Sequence, residues 1–357
     1  MRARHRGLLA VSLALTTLLG CSAEQDMSEP AAPSAAVATF GVRVPAVDLH
    51  KLQVADQVRQ IDPCGFFDSD EFAAYGEVTS SGPDRGLDDC TVGLTPKGRT
   101  RSAGRATIAL TADQPGPDET ETRQVAGETV VVDRAGTGDA GCAFKVPLRL
   151  PGSVAAATSR HDGEVGTVQW ARVEGTGFDT SALDCQAATE AAAAMVSALR
   201  DNRIPRRDES AVEMTLADRS PCELMSGVPA GYTISRFDAQ TRPYTCSFRV
   251  DGSSAGRYGS TVTVDFLLQA ADGVLDPGEG RQAVAVAGRS ALREESPQTG
   301  SCFISMTAGP VIKSVASSAQ SGTGTARSQV VVRVFAGSCA VADQFAAIAA
   351  EMFGANR

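Results

Sequence analysis

Eight cysteines fall into two sets of four with nearly the same spacing, and this pattern limits the fold more than any other feature of the chain. Successive intervals from Cys64 through Cys90 and Cys142 to Cys185 are 26, 52 and 43 residues; from Cys222 through Cys246 and Cys302 to Cys339 they are 24, 56 and 37. Other residues keep the same order. Asp62-Pro63-Cys64 matches Ser220-Pro221-Cys222, VAGETVVV at 125–132 matches VAGRSALR at 286–293, and Gly141-Cys142 matches Ser301-Cys302. Cys185 and Cys339 each open an alanine-rich segment. Four matched cysteines with a shared Val-Ala-Gly between the second and third define an internal duplication.

Four cysteines allow three connectivities. The local one joins Cys64 to Cys90, Cys142 to Cys185, Cys222 to Cys246 and Cys302 to Cys339, and it is the pairing we expect. Each closure stabilises by roughly 3 to 4 kcal/mol in the chain-entropy view. The rival reading is a pair of four-cysteine metal sites, which needs knuckles of the CxxC kind; the sequence has none. No metal and no cofactor is expected, and disulfides belong to an oxidising compartment.

The ninth cysteine, Cys21, ends Leu18-Leu19-Gly20-Cys21 after an apolar run from Gly7 and the basic residues Arg2, Arg4 and Arg6. A basic start followed by an apolar stretch too short to span a bilayer reads as an export signal over residues 1–20. The Cys at its end resembles a bacterial lipobox, which implies a diacylglyceryl anchor on Cys21 and hence the membrane as a partner. Residues 21–44 are rich in Ala, Ser and Pro and read as the lipidated Cys and a flexible tether. Losing three arginines with the signal moves the net charge from -9 to -12, so no nucleic-acid partner is expected. The domains are read as 45–203 and 211–357, with RIPRRDES marking a linker at 204–210.

Each copy gives the same coarse order of elements. A short helical segment is expected after Pro63 and Pro221, with Phe66, Phe67, Phe72 and Tyr75 on one face in the first copy. Strand-like runs follow at 87–94, 106–111, 128–133, 142–150 and 166–173, and again at 242–250, 261–269, 283–287, 302–307 and 329–336. Amphipathic helices close the copies near 185–200 and 341–353. The expected class is α+β: two tandem domains, each a mostly antiparallel sheet flanked by an N-terminal and a C-terminal helix and stapled by disulfides.

The DPC segment, the strand Cys, the VxG segment, the Gly-Cys strand and the Cys-led alanine-rich helix together resemble the uncharacterised cell-envelope lipoproteins of actinobacteria. Members of that family carry the domain once, after a lipobox; here the likeness covers about 45–203 and 211–357. Cys64, Cys90, Cys142 and Cys185 match in the first copy, and Cys222, Cys246, Cys302 and Cys339 in the second. The second copy departs at Ser220, which stands where the first has Asp62. The resemblance implies a location on the outer face of the cell membrane and an architecture, with no activity attached.

Several local patterns invite an enzymatic reading. Gly252-Ser253-Ser254-Ala255-Gly256 fits GxSxG, but a nucleophile elbow needs a strand-to-helix turn and a later His; strand-like sequence follows, and His161 is the last His. Gly136 to Gly141 fits GxGxxG, yet a strand rather than a helix follows it. The acidic cluster of Asp68, Asp70 and Glu71, and the pair Asp88 with Asp89, suit glycoside hydrolysis or calcium, but capping and solvated surface explain them as well. His50 and His161 are isolated, and Trp170 reads as sheet packing. We expect a non-catalytic binding or scaffolding protein with an unknown envelope ligand or protein partner, the alternative being a cell-wall or lipid-acting hydrolase built on carboxylates.

Overall fold

The computed structural model describes residues 37–67, 72–73, 75–95, 104–134, 141–150, 169–178, 180–210, 213–237, 239–240, 242–252, 260–315 and 325–354. The signal segment, Cys21, the acidic residues Asp68, Asp70 and Glu71, His161, and most of the two glycine-containing motifs lie outside the described residues.

A short hairpin, β1 (Val37–Thr39) and β2 (Val42–Val44), leads into helix α1 (Ala46–Arg59). The first sheet follows: β3 (Glu77–Gly82), β4 (Asp89–Thr95), β5 (Gly104–Ala112), β6 (Thr122–Val125), β7 (Glu128–Val132), β8 (Gly141–Leu148) and β9 (Gln169–Thr176). Helix α2 (Ser181–Arg200) closes the first repeat. The second sheet is β10 (Tyr232–Phe237), β11 (Thr245–Gly252), β12 (Ser260–Ala270), β13 (Arg281–Val286), β14 (Arg289–Glu295), β15 (Cys302–Val315) and β16 (Thr325–Ala336), and α3 (Cys339–Phe353) closes it.

Both sheets are seven-stranded and antiparallel, with the spatial orders β3-β4-β5-β9-β8-β7-β6 and β10-β11-β12-β16-β15-β14-β13. The second order is the first advanced by seven strands. Register repeats as well: Cys90 lies opposite Ile108 and Cys246 opposite Val264, while Cys142 lies opposite Gly175 and Cys302 opposite Ala336. The fold is a two-domain, mostly-β member of the α+β class, and the duplication extends from spacing to topology.

All four disulfides are the local ones: Cys64–Cys90, Cys142–Cys185, Cys222–Cys246 and Cys302–Cys339, with Cα separations of 5.1, 4.8, 5.1 and 4.9 Å. Alternation explains why these strands form. On β16, Val330, Val332, Val334 and Ala336 are buried, as are Val262, Val264, Phe266 and Leu268 on β12, so one face of each strand enters the core. Val341, Ala342, Phe345, Ala346 and Ala349 of α3 share that core; Ala188, Ala191, Ala192 and Met195 of α2 do so in the first repeat. Alanine lets a helix approach a sheet closely. At Gly175 even a Cβ would lie 2.1 Å from the Asp184 carbonyl oxygen, so the start of α2 requires glycine on the central strand there.

The opening segments differ from the expected helices. They are 3-10 turns, Pro63–Phe66 and Pro221–Gly227. In the first repeat the chain turns extended at Phe67, and Phe67, Phe72 and Tyr75 meet as successive ring contacts at 5.3 and 6.1 Å rather than as one helical stripe. The Asp62 and Ser220 positions do the same work. Asp62 Oδ1 accepts from the Cys64 N–H at 3.0 Å, and Ser220 Oγ from the Cys222 N–H at 3.3 Å. The sequence departure therefore conserves a cap.

Capping also starts the closing helices, where Thr180 Oγ1 accepts from the Leu183 N–H and Ser338 Oγ from the Val341 N–H. Replacing Ser338 by Ala is expected to lower stability by about 1 kcal/mol, read as a shift of the urea midpoint with unchanged slope. An unchanged midpoint would mean that water replaces the cap at no cost.

Candidate functional site

Residues 35–357 form one compact unit, and both polar and apolar contacts join the two repeats within it. Arg59, at the end of α1, donates from Nη1 to the Pro243 carbonyl at 2.8 Å and from Nη2 to Asp56 at 3.1 Å. Arg207 donates from Nε to the Arg59 carbonyl at 2.7 Å and from Nη2 to the Leu87 carbonyl. The segment read as a linker is hydrogen-bonded onto the first repeat: the Asp62 N–H donates to the Pro205 carbonyl, the Arg207 N–H to the Gln60 carbonyl, and Ile61 bridges to Arg206. Apolar packing crosses the same seam, since Val44, Leu52 and Leu87 belong to the second core. At the far end of β15, the Val315 N–H donates to the Pro83 carbonyl.

Acidic groups face this seam. Thr111 donates to Asp88; burial pushes the Asp88 carboxyl above its ordinary value, opposed by that hydrogen bond and by Arg207 and Arg242. Tyr244, whose hydroxyl donates to the Ala217 carbonyl at 2.6 Å, is also pushed up by burial. Asp89 is 6% exposed. Its oxygens accept from the Asp84 and Arg85 N–H groups at 3.0 to 3.2 Å, and burial, aided by the charge of Asp88, raises its pKa to about 6. These two carboxylates are thus not solvated surface, as the sequence allowed; Asp89 closes the 84–89 turn and Asp88 stands at the seam.

A raised carboxyl stabilises the fold least when ionised. Below about pH 4 Asp89 is protonated in both folded and unfolded chains. Between about 4 and 6 the unfolded chain gives up the proton first, so stability falls as pH rises, by on the order of 2 to 3 kcal/mol. Asp89→Asn keeps an oxygen for the turn and is expected to flatten this window. Urea unfolding of both proteins at pH 4 and pH 7 checks it; equal pH slopes would remove Asp89 as the source.

Between the seam and the second repeat a groove of about 360 Å³ opens, lined by Gln60, Arg207, Arg219, Met352 and Phe353 among others. The Arg219 guanidinium lies 4.9 Å from the centroid of the Phe353 ring and donates to the Met352 carbonyl at 2.8 Å. Cation, carboxylate, backbone and apolar surface meet there, so the groove can bind a mixed-polarity ligand.

No protein-family model matches this sequence, and no curated protein or solved structure does either.

Chemistry therefore has to be read from the side chains themselves. Among the described residues no group of three or more His, Cys, Asp or Glu side chains is disposed to hold a metal ion, and no helix is long and apolar enough to cross a membrane. The four disulfides belong to an oxidising, extracytoplasmic compartment. Of the two histidines read as isolated, His50 lies on α1 and is half-buried. Trp170 is half-buried on β9, on the sheet face opposite the one that Ala171 and Val173 bury. Gly141 starts β8 and Gly252 ends β11, as the strand-flanked contexts of their motifs anticipate.

One polar element shared by both repeats escaped the sequence comparison. Arg172 and Arg333 hold the same register position, three residues before Gly175 and Ala336. Arg172 donates to Asp133 at 2.9 Å and to Glu174 at 2.6 Å; Arg333 donates to Asp265 at 2.9 Å and lies 5.5 Å from the Phe303 ring centroid. The Arg-Val dipeptides 172–173 and 333–334 were the available signal. Their carboxylate partners come from different places in the two repeats, Asp133 just after β7, Glu174 on β9 and Asp265 on β12, so no single aligned pair revealed them.

Proposed function

We propose that this protein is a lipoprotein of the actinobacterial cell-envelope kind, held by a diacylglyceryl group on Cys21 at the outer face of the cell membrane. Each repeat is taken as a sheet flanked by an opening helical turn and a closing helix. The protein acts as a non-catalytic binding or scaffolding component. The observation that carries this reading is the seam: Arg59 donates across it to the Pro243 carbonyl, Arg207 pins the segment between the repeats to the Arg59 and Leu87 carbonyls, and the mixed-polarity groove lies beside them. A preorganised groove between joined domains favours recognition, because little ordering is needed when the ligand arrives.

The hydrolase alternative would draw on Asp88 and Asp89. Asp89 has its oxygens engaged by turn N–H groups and Asp88 accepts from Thr111, which supports holding roles for both. With its acidic charge, the partner is an envelope component rather than a nucleic acid.

The test is purification of the native lipoprotein in mild detergent, with mass spectrometry of retained lipid and protein, alongside an Arg219→Gln variant. A component retained by the wild type and lost in the variant supports groove binding. Nothing retained in repeated preparations, or equal retention by both, overturns it.

A further inference from the structure

The duplication supplies an internal comparison at the Val-Ala-Gly hairpins. Ala126 and Ala287 both have positive φ, +49° and +46°, and the following Gly127 and Gly288 do too, so both turns are tight two-residue reversals of the primed kind with alanine in a conformation that favours Asn or Gly. Each turn faces the C-terminal end of its closing helix. What fills the space between differs. In the second repeat Arg289 follows the turn and its guanidinium lies against Gly354, close enough that a Cβ there would sit 2.6 Å from Cζ. In the first repeat the matching residue is Glu128, which turns aside to bond Arg149 at 2.7 Å. Leu199, at the position of Phe353 in the second repeat, lines the space in the first, whereas the Phe353 ring packs on Phe266. The result is an open cavity of about 190 Å³.

We propose that this cavity is a binding pocket for a small anionic amphiphile: one apolar group of about aromatic size that carries a carboxylate. Pro147, Val196 and Leu199 supply apolar lining, and a cavity of about 150 Å³ already holds a benzene ring. Two guanidinium groups stand at the rim, Arg149 and Arg200, with side chains 70% and 61% exposed. Arg200 is held in place by donating from Nη1 to the Ala126 carbonyl at 3.0 Å. Against them stand Glu128, bonded to Arg149, and Asp201, which pairs with Arg200 and also with Arg203, so three guanidinium groups face two carboxylates and the balance is positive on a chain whose net charge is -9. Arginine presents five donors and uses only some of them here, leaving others for a ligand carboxylate. The pocket is separate from the groove at the seam, and either can be occupied without the other.

The test is titration of the folded, oxidised protein with 3-phenylpropionate, its neutral amide and acetate, followed by heteronuclear NMR. Shifts are expected at residues 126–128, 147–149 and 196–200 for the acid, with the amide at least tenfold weaker and acetate weaker still. Leu199→Phe, which installs the second repeat's residue, is expected to weaken the acid at least tenfold; thermal melting checks that the variant is folded. Arg149→Gln with Arg200→Gln is expected to bring acid and amide to equal affinity. Absence of shifts at these residues, equal binding of acid and amide by the wild type, or full affinity in folded Leu199→Phe overturns the proposal.

Discussion

Truncating Phe345 to Ala is expected to lower stability by about 3 to 5 kcal/mol. Phe345 is fully buried on α3 and meets Tyr232 and Phe248 edge-on at 5.6 and 5.8 Å. Its loss removes buried area and the aromatic pairs together, and the surrounding disulfide-tied sheet and helix have little freedom to close the gap. The second repeat's core also contains Val44, Leu52 and Leu87 from the first, so the loss should be felt across the seam. Trp170, the only tryptophan, lies in the first repeat and reports on it. In urea, Phe345→Ala should move the Trp170 fluorescence transition together with the far-ultraviolet circular dichroism transition. A dichroism shift that leaves the Trp170 transition in place would mean that the repeats unfold independently.

Replacing Cys142 and Cys185 together by Ala is expected to cost about 4 kcal/mol, the chain-entropy value for a closed loop of this size. This bond spans 43 residues, the longest of the four intervals, and it fixes the start of α2 onto β8 beside the close approach at Gly175. The double substitution avoids a free thiol, so the midpoint change reports the crosslink rather than exchange. A cost below about 1 kcal/mol would show that packing alone holds α2 against the sheet. Peptide mapping under non-reducing conditions tests the framework itself: a bond from Cys64 to Cys185, or from one repeat to the other, would contradict it.

Strands with one fully buried face were legible because their alternation is local. The runs read at 106–111, 261–269 and 329–336 correspond to β5, β12 and β16. Several strands at or near the sheet edges were not: β3, β6, β10 and β14 were passed over. In β6 all but one residue are exposed, and an edge strand that shows polar side chains to water carries little hydrophobic period. Helix α1 was missed for a related reason. Its apolar residues divide between the two cores, Leu52 with the second and Val54 and Val58 with the first, so its pattern is not a single stripe.

The candidate sites divide in the same way. Asp88 and Asp89 were visible as a pair, but their surroundings were not, because Thr111, Arg207 and Arg242, the groups that oppose the effect of burial on Asp88, come from three other places in the chain. The cavity in the first repeat could not be read from Glu128 or Leu199 alone. It became visible only when the Val-Ala-Gly hairpin and the end of α2 were brought together and compared with Arg289 and Gly354.

By itself the sequence determined the duplication and the class of fold, pointed to an oxidising compartment and favoured the local disulfide pairing among three, because covalent spacing and strand alternation are properties of nearby residues. The tertiary structure decided how the two copies join. Arg59 reaches a carbonyl 184 residues away, and Arg207 reaches others at 148 and 120. Such bonds follow no local period: the first exists only once the two repeats have taken one position against each other, and the other two only once the connecting segment has packed back on the first repeat.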